Sequence, residues 1–160
     1  MKNFVQQENS DFRLSAYHET RQHTRLGIYG ENYVKCLLLN SGYLALKGNV
    51  EPFSGDLRTI DPKTFAETRI EVKTAYCGDC GRYTFCLRKE KKTDICHSDY
   101  VILICIDKYF NHYVYCIPCT ILKNKSLKIC SHPLTYAGKY AKYRIRGRVD
   151  FALTDWIVAQ

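Results

Sequence analysis

The chain has 160 residues and a formal net charge of +8, with 24 Lys and Arg against 16 Asp and Glu. This length suits one domain with a hydrophobic core and is too short for two domains of ordinary size. A basic excess of this kind is typical of proteins that bind polyanions. We therefore expect a single domain over residues 1–160.

The sequence contains no apolar stretch near the roughly 18 residues that a membrane-spanning helix needs. The first residues also lack the pattern of a secretory signal peptide. We therefore expect a soluble intracellular protein, in the cytoplasm or nucleoid, with no membrane partner. The nine cysteines are then expected to be reduced thiols or metal ligands, because an odd number argues against complete disulfide pairing.

The first predicted element is a helix over residues 27–42. It ends at Gly42, because glycine readily adopts the left-handed conformation that closes helices. Its apolar residues recur at helical spacing, with three on one stripe and one a turn earlier: Val34, Leu37, Leu38 and Ile28. This stripe is expected to pack on the core.

Glu31 lies in this helix at three-residue spacing from both Ile28 and Val34, so we expect its side chain to point toward the core. One explanation for a carboxylate near the start of a helix is the helix dipole, which favours negative charge there. The other explanation is a functional carboxylate. Gly27 and Gly30 support the second, because glycine permits another group to approach closely.

A β-hairpin is predicted next, with strands over residues 56–60 and 68–73. The connecting segment Asp61-Pro62-Lys63-Thr64 is typical of a turn, because proline presets the first central dihedral and aspartate favours the leading position. The second strand alternates with period two, so Glu71 and Lys73 share one face and the apolar residues beside them take the other.

Asp56, Glu71 and Lys73 together suit the hydrolysis of a phosphodiester bond. Two carboxylates can hold Mg²⁺ or Mn²⁺, since hard cations prefer oxygen ligands. Such a metal lowers the pKa of a bound water, and a nearby lysine can orient that water or stabilise charge on the phosphorus. The alternative is an exposed hairpin whose charges are solvated, because Glu-Xaa-Lys triplets are common on strand surfaces.

The cysteines raise a separate hypothesis of structural zinc. Cys77 and Cys80 have the two-residue spacing and the trailing glycine of a zinc knuckle, in which two thiolates meet one tetrahedral ion. A second pair is required, and Cys116 and Cys119 have the same spacing, while Cys96-His97 is another source. Against this, cysteine is among the most buried residue types, and a strand would point two residues of odd spacing to opposite faces.

Three further strands are predicted over residues 82–87, 100–106 and 113–117. The run over 100–106 is continuously apolar and rich in β-branched residues, which is typical of a central strand buried on both faces. The segment 113–117 follows after a turn and is predicted as its hairpin partner. A helix followed by a hairpin and a buried strand indicates the α/β class, with a mixed sheet covered by helices.

The segment over about residues 136–150 interleaves cations with tyrosines. In an extended chain, Arg144, Arg146 and Arg148 would line one face and could follow a phosphate backbone. The alternative is a solvated charged surface. The candidate DNA-binding residues are Lys139, Lys142, Arg144, Arg146 and Arg148.

Three motifs, in this order and spacing, resemble the PD-(D/E)XK nuclease superfamily, which includes archaeal Holliday junction resolvases, many restriction enzymes and some homing endonucleases. They are Gly-Xaa-Xaa-Gly-Glu ending at Glu31, Ser-Gly-Asp-Leu over 54–57, and Glu-Val-Lys over 71–73. The resemblance covers roughly residues 25–120. It departs from the family pattern at Gly55, where the family name expects proline.

This resemblance implies a restriction-endonuclease-like core and a metal-dependent DNA endonuclease. It implies Asp56 and Glu71 as metal ligands together with the backbone carbonyl of Val72, Lys73 as the catalytic lysine, and Glu31 as the helix carboxylate that completes the site. The implied partners are DNA and a second copy of the chain, in a homodimer or higher homo-oligomer. Site-specific cleavage and junction resolution both stay open. The other function class is a catalytically inactive nucleic-acid-binding protein of the same fold, stabilised by zinc or not.

Overall fold

The computed structural model describes residues 23–48, 55–76, 82–86, 98–122, 126–130 and 140–151. An α-helix (α1) occupies residues 23–40. The strands are, in chain order, β1 (Leu44–Lys47), β2 (Leu57–Ile60), β3 (Glu67–Tyr76), β4 (Arg82–Cys86), β5 (Tyr100–Ile106), β6 (His112–Pro118), β7 (Ser126–Cys130) and β8 (Arg144–Ile145).

Six of these strands form one mixed sheet in the order β1-β2-β3-β5-β6-β8. β3 and β5 run parallel, and the other neighbours are antiparallel. Strands β4 and β7 form a separate antiparallel pair. The predicted α/β class with a mixed central sheet is therefore confirmed.

The predicted hairpin is present as strands β2 and β3, with Leu57 opposite Ile70 and Ile60 opposite Glu67. Strand β3 continues to Tyr76, three residues beyond the predicted end at Lys73. The reason is its parallel pairing with β5, which runs to Ile106 and gives the backbone of β3 hydrogen-bond partners along this whole stretch.

Strand β5 lies in the middle of two hydrophobic cores, one on each face of the sheet. All seven of its residues are buried, as predicted. Ile102 and Ile104 pack on the face covered by α1, whereas Val101 and Leu103 pack on the face covered by side chains of β4. The alternation of side chains along a strand thus separates the two cores.

Helix α1 ends as predicted at a glycine. Gly42 has φ of +95°, and the N–H groups of Gly42 and Tyr43 donate to the carbonyls of Leu39 and Leu38 at 3.0 Å each. These two bonds are those of a Schellman motif.

Among the described residues, no helix combines the length and the hydropathy needed to cross a membrane.

The buried face of α1 differs from the predicted stripe at its start. Val34 and Leu38 are fully buried, but Ile28 is 50% exposed. Steps of four residues back from Val34 lead to Gly30 and Leu26, which lie against the core instead. The position of Ile28 in the predicted stripe was therefore wrong by part of a turn.

Three described strands are absent from the sequence prediction: β1, β7 and β8. The outward side chains of β1, Leu44 and Leu46, are each more than half exposed, so its hydrophobic residues do not mark one buried face. β8 has only two residues, Arg144 and Ile145. The predicted strand at Arg82 exists, but it pairs with β7 outside the main sheet.

The close packing of α1 on β3 depends on Gly30. A Cβ atom at this position would lie 1.8 Å from Thr74 Oγ1 and 3.3 Å from Ile104 Cδ1. The predicted close approach of another group is thereby confirmed for Gly30. At Gly27, no atom of the described residues outside the neighbouring helix backbone lies within 4 Å of the equivalent position.

We predict that Gly30→Ala lowers the free energy of unfolding by about 1–3 kcal/mol, because the added methyl group overpacks the contact with Thr74. Gly27→Ala is the matched control and should stabilise the protein by up to about 1 kcal/mol, since alanine is the better helix former. Chemical denaturation of the two variants checks this. Equal effects of the two substitutions would contradict the packing role of Gly30.

Candidate active site

The candidate site lies where β2 and β3 begin to separate. Asp56 directly precedes β2, and its backbone N–H donates to the carbonyl of Ile70 at 2.9 Å. Its carboxylate Oδ2 accepts a hydrogen bond from the backbone N–H of Val72 at 2.8 Å. The backbone of β3 thus fixes the carboxylate of Asp56 between the two strands.

Glu71 and Lys73 project from the face of β3 opposite α1. Ile70 and Val72 are buried in the core beneath α1, so the alternation predicted for this strand is confirmed. Lys73 Nζ lies 2.6 Å from Glu71 Oε1. Glu71 is buried, and Lys73 is partly exposed. The structure therefore brings Asp56, Glu71 and Lys73 together, as the sequence predicted.

The ionised form of the Asp56 carboxyl is disfavoured in this site. Burial raises the pKa of the Asp56 carboxyl, and the nearby negative charge of Glu71 raises it further. The hydrogen bond from Val72 and the charge of Lys73 offset only part of this rise in the pKa. A bound cation would relieve the remaining repulsion.

The backbone carbonyl of Val72 is suitably directed to join these carboxylates. In a strand, the N–H and C=O of one residue point to the same neighbouring strand. Since the N–H of Val72 points to Asp56, its carbonyl oxygen faces the same gap. Two carboxylates and a carbonyl are the oxygen ligands that Mg²⁺ or Mn²⁺ prefers.

Glu31 stands apart from this group in the structure. Its carboxylate Oε2 lies 3.5 Å from Lys47 Nζ, and its side chain is 25% exposed at the margin of the core. Its charge still contributes to the raised pKa of Asp56, as the weakest of the causes. In the part of the chain that the structure describes, no group of three or more His, Cys, Asp or Glu side chains is arranged to hold one metal ion.

Lys47 is the residue near the site that sequence reasoning missed. It ends β1, pairs in register with Leu57, and lies one residue before Gly48, whose N–H donates to the carbonyl of Asp56 at 2.9 Å. The signal in the sequence was weak, because Leu44-Ala45-Leu46-Lys47 does not alternate in hydrophobicity.

The departure from the family pattern at residue 55 has a structural reason. Gly55 has φ of +71°, whereas the proline ring fixes φ near −65°. A Cβ atom here would also lie 2.7 Å from Ser98 Oγ and 2.8 Å from the carbonyl oxygen of Ile70. In this chain, the conformation that leads into Asp56 thus requires glycine.

The proposed zinc ligands are only partly described. Cys116 is buried in the core beneath α1, whereas Cys119 packs against the core on the opposite face of the sheet. This placement does not favour one shared ion. Cys77 and Cys80, like Cys96-His97, lie outside the described residues, and the zinc site stays a prediction.

The three arginines of the basic C-terminal segment do not line one face of an extended chain as predicted. After β8 the chain bends, and Gly147 has φ of +137°, so Arg146 and Arg148 do not continue the strand of Arg144. Both are exposed, while the guanidinium of Arg144 lies 5.0 Å from the ring centroid of Tyr113. Exposed Lys142 lies over the ring of Tyr143, and Lys139 lies outside the described residues.

No protein-family model and no curated protein sequence matches the chain. Among solved structures, the fold is similar to that of a bacterial homing endonuclease, I-Ssp6803I, with a TM-score of 0.59 and 14% sequence identity. The match covers 86% of this chain and 96% of that one. At this identity, the likeness concerns the fold, a mixed sheet with helical cover.

The raised pKa of Asp56 leads to a prediction about stability. A carboxyl whose pKa is higher in the folded than in the unfolded state destabilises the fold as the pH rises from its ordinary value of 3.8 through the raised value. Asp56→Asn keeps an acceptor for the Val72 N–H and removes the charge. In EDTA at neutral pH, its melting temperature should therefore exceed that of the parent protein by a few degrees, about 2–4 °C per kcal/mol.

The same variant should lose stabilisation by metal. Mg²⁺ or Mn²⁺ should raise the melting temperature of the parent protein but not that of Asp56→Asn, because a ligand that binds only the folded state stabilises it. Glu67→Gln, at an exposed position of β3, is the control and should respond to metal like the parent. An equal metal response in Asp56→Asn would exclude Asp56 as a ligand.

Proposed function

We propose that this chain is a DNA endonuclease that uses Mg²⁺ or Mn²⁺ to hydrolyse phosphodiester bonds. The observation that carries the proposal is the convergence of Asp56 and Glu71 at one point of the sheet, with Lys73 Nζ 2.6 Å from Glu71. Burial and the nearby charge of Glu71 raise the pKa of the Asp56 carboxyl, so its ionised form is costly unless a cation joins the site. The net charge of +8 supports a polyanionic substrate.

Each residue has a defined role in this proposal. Asp56, Glu71 and the carbonyl of Val72 hold the cation, and the hydrogen bond from the Val72 N–H keeps the Asp56 carboxylate in place. When bound, the cation lowers the pKa of a water and offsets charge on the scissile phosphate. Lys73 orients the attacking water or stabilises the charge that develops on the phosphate oxygens.

Glu31 is proposed as the third carboxylate of the site. Its charge acts on Asp56 from α1, and its contact with Lys47 at 3.5 Å is long for an ion pair and involves a lysine side chain that is 66% exposed. A contact of this kind contributes little to stability, so it holds Glu31 only weakly.

The structural likeness supports the site-specific form of this activity. The similar protein is described as a homing endonuclease, and this favours cleavage of a defined duplex sequence over junction resolution. We also propose that the chain acts on DNA as a homodimer or higher homo-oligomer.

A second candidate is a nucleic-acid-binding protein without catalysis. The observation that favours it is the pairing of Glu71 with Lys73, since each already neutralises the other in the described structure. Incubation of plasmid and branched DNA with the protein, in Mg²⁺ or in EDTA, separates the two candidates. Nicking or linearisation only with metal supports the endonuclease, whereas binding without cleavage supports the second candidate. Zinc analysis of the purified protein tests the zinc-stabilised form.

We predict that Glu71→Gln and Lys73→Met each reduce the cleavage rate at saturating Mg²⁺ by at least about 100-fold, because each removes charge that stabilises the transition state. Binding of DNA and the circular dichroism spectrum should stay close to those of the parent protein. Glu67→Gln is the matched control, with the same chemical change on an exposed position of β3, and should cleave normally. Near-parental nicking by either site variant would overturn the assignment.

The basic C-terminal segment is proposed to bind the DNA backbone. Changing Arg144, Arg146 and Arg148 together to alanine should weaken DNA binding and flatten its salt dependence, since each lost phosphate contact removes about one released counterion from the slope. The triple change to lysine keeps the charge and should keep the slope. Binding isotherms over a salt series measure this, and equal slopes for the alanine variant and the parent would assign these arginines to a solvated surface.

A further inference from the structure

Two turns of the main sheet present a phenylalanine to solvent in a strained backbone conformation. Phe65, between β2 and β3, has φ of 58° and is 79% exposed. Phe110, between β5 and β6, has φ of 62° and is 73% exposed. A bulky residue at positive φ is an outlier, and such strain is concentrated at functional sites. In each case most of the aromatic side chain is also left in water, where the exposed part gains nothing from the hydrophobic effect.

The backbone of each turn is fixed by the same two kinds of hydrogen bond. In each, an aspartate begins the turn, and its Oδ1 accepts a hydrogen bond from the N–H two residues later: Asp61 from Lys63 and Asp107 from Tyr109, both at 2.8 Å. The phenylalanine N–H then donates to the carbonyl of the same aspartate, at 2.8 Å for Phe65 and 3.0 Å for Phe110. The rings are therefore presented on preformed turns, which lowers the entropic cost of using them for binding.

The charge of these turns indicates what they bind. Lys63 and Lys108 are exposed, whereas the aspartate carboxylates are directed toward N–H groups of their own turns. Lys108 Nζ lies 5.2 Å from the ring centroid of Tyr109. An exposed cation beside an exposed aromatic ring suits a ligand that combines phosphate charge with flat bases, and this is nucleic acid.

The length of β3, which separates the two turns, is close to one helical turn of duplex DNA. Phe65 lies two residues before β3, and at the other end of β3 the ring of Tyr76 lies 6.3 Å from that of Phe110. A strand of ten residues spans about 33 Å, close to the roughly 34–36 Å of one turn of B-DNA. Two contacts at this separation meet the same groove on one side of a duplex. Glu71 and Lys73 lie on the strand between them.

We propose that the turns carrying Phe65 and Phe110 contact duplex DNA on either side of the candidate active site, with each phenylalanine inserted as a wedge at a base step. Apolar wedges of this kind unstack a step and kink the duplex. The inference rests on the proposed function, since it names the substrate contacts of that site. It assigns the wedges to DNA and not to a second copy of the chain, because of the lysine in each turn.

The test uses glycine at both positions. Phe65→Gly and Phe110→Gly remove the rings and relieve the positive φ, so the variants should fold at least as stably as the parent protein. Leu39→Ala is the control, because Leu39 is an apolar side chain that is 48% exposed and belongs to α1, not to either turn. The probe is a mixed-sequence 40-bp duplex in EDTA, followed by fluorescence anisotropy over a salt series.

We expect each glycine variant to bind the duplex about tenfold more weakly, and the double variant more weakly still, with the salt slope unchanged because no phosphate contact is lost. Phe65→Trp and Phe110→Trp keep an aromatic ring at each position, so these variants should bind the duplex like the parent protein. Parental affinity of the double glycine variant, or failure of the parent to bind the duplex, would overturn the inference. So would a change of sedimentation coefficient with unchanged DNA affinity, which would assign the turns to self-association. Weakened binding in a protein that never cleaves with Mg²⁺ would support the wedges and reject the endonuclease.

Discussion

Strand β3 serves the hydrophobic core with one face and the candidate site with the other, and the remainder of the fold depends on that division. Ile70 and Val72 anchor the strand beneath α1, which fixes its register against β2 and β5. Because a slip of one residue would exchange the two faces, the core positions of Ile70 and Val72 also determine where Glu71 and Lys73 point. The chemistry of the site is thus secured by burial of apolar neighbours.

The site is built at some cost to the stability of the fold. Burial and the charge of Glu71 both raise the pKa of Asp56, so the ionised carboxylate is less favourable here than in water. Lys73 and the Val72 N–H offset part of this. In the proposed function, a cation and a phosphate would complete this cluster and offset its cost, a relation between stability and activity that is common at functional sites.

Much of the hairpin and the central strand could be predicted from the sequence, because both are marked by local patterns. Period-two alternation over 68–73 and the continuous apolar run over 100–106 each have one structural interpretation. The order of the strands could not be predicted, since it depends on contacts between segments distant in the chain. β1 and β8 show this limit, because they are short and gain their strand conformation from pairing with β2 and β6.

In the candidate site, too, only the residues brought together by local structure could be predicted from the sequence. Asp56, Glu71 and Lys73 come together through one hairpin, so local sequence sufficed. The partner of Glu31 could not be foreseen, because Lys47 reaches it across the packing of α1 on the sheet. The bend at Gly147 after β8 could not be predicted either, because alternating arginines form a strand only where another strand is available to pair with it.

The parallel pairing of β3 with β5 joins segments that are far apart in the chain. β2 and β3 are joined by a short turn and can associate early, whereas Ile70 meets Tyr100 only after a much longer segment has closed into a loop. Closure of long loops is slow because the chain entropy is lost before any contact compensates it. We therefore expect the carboxylates of the hairpin to stay hydrated while β2 and β3 associate, and to lose water only when β5 docks.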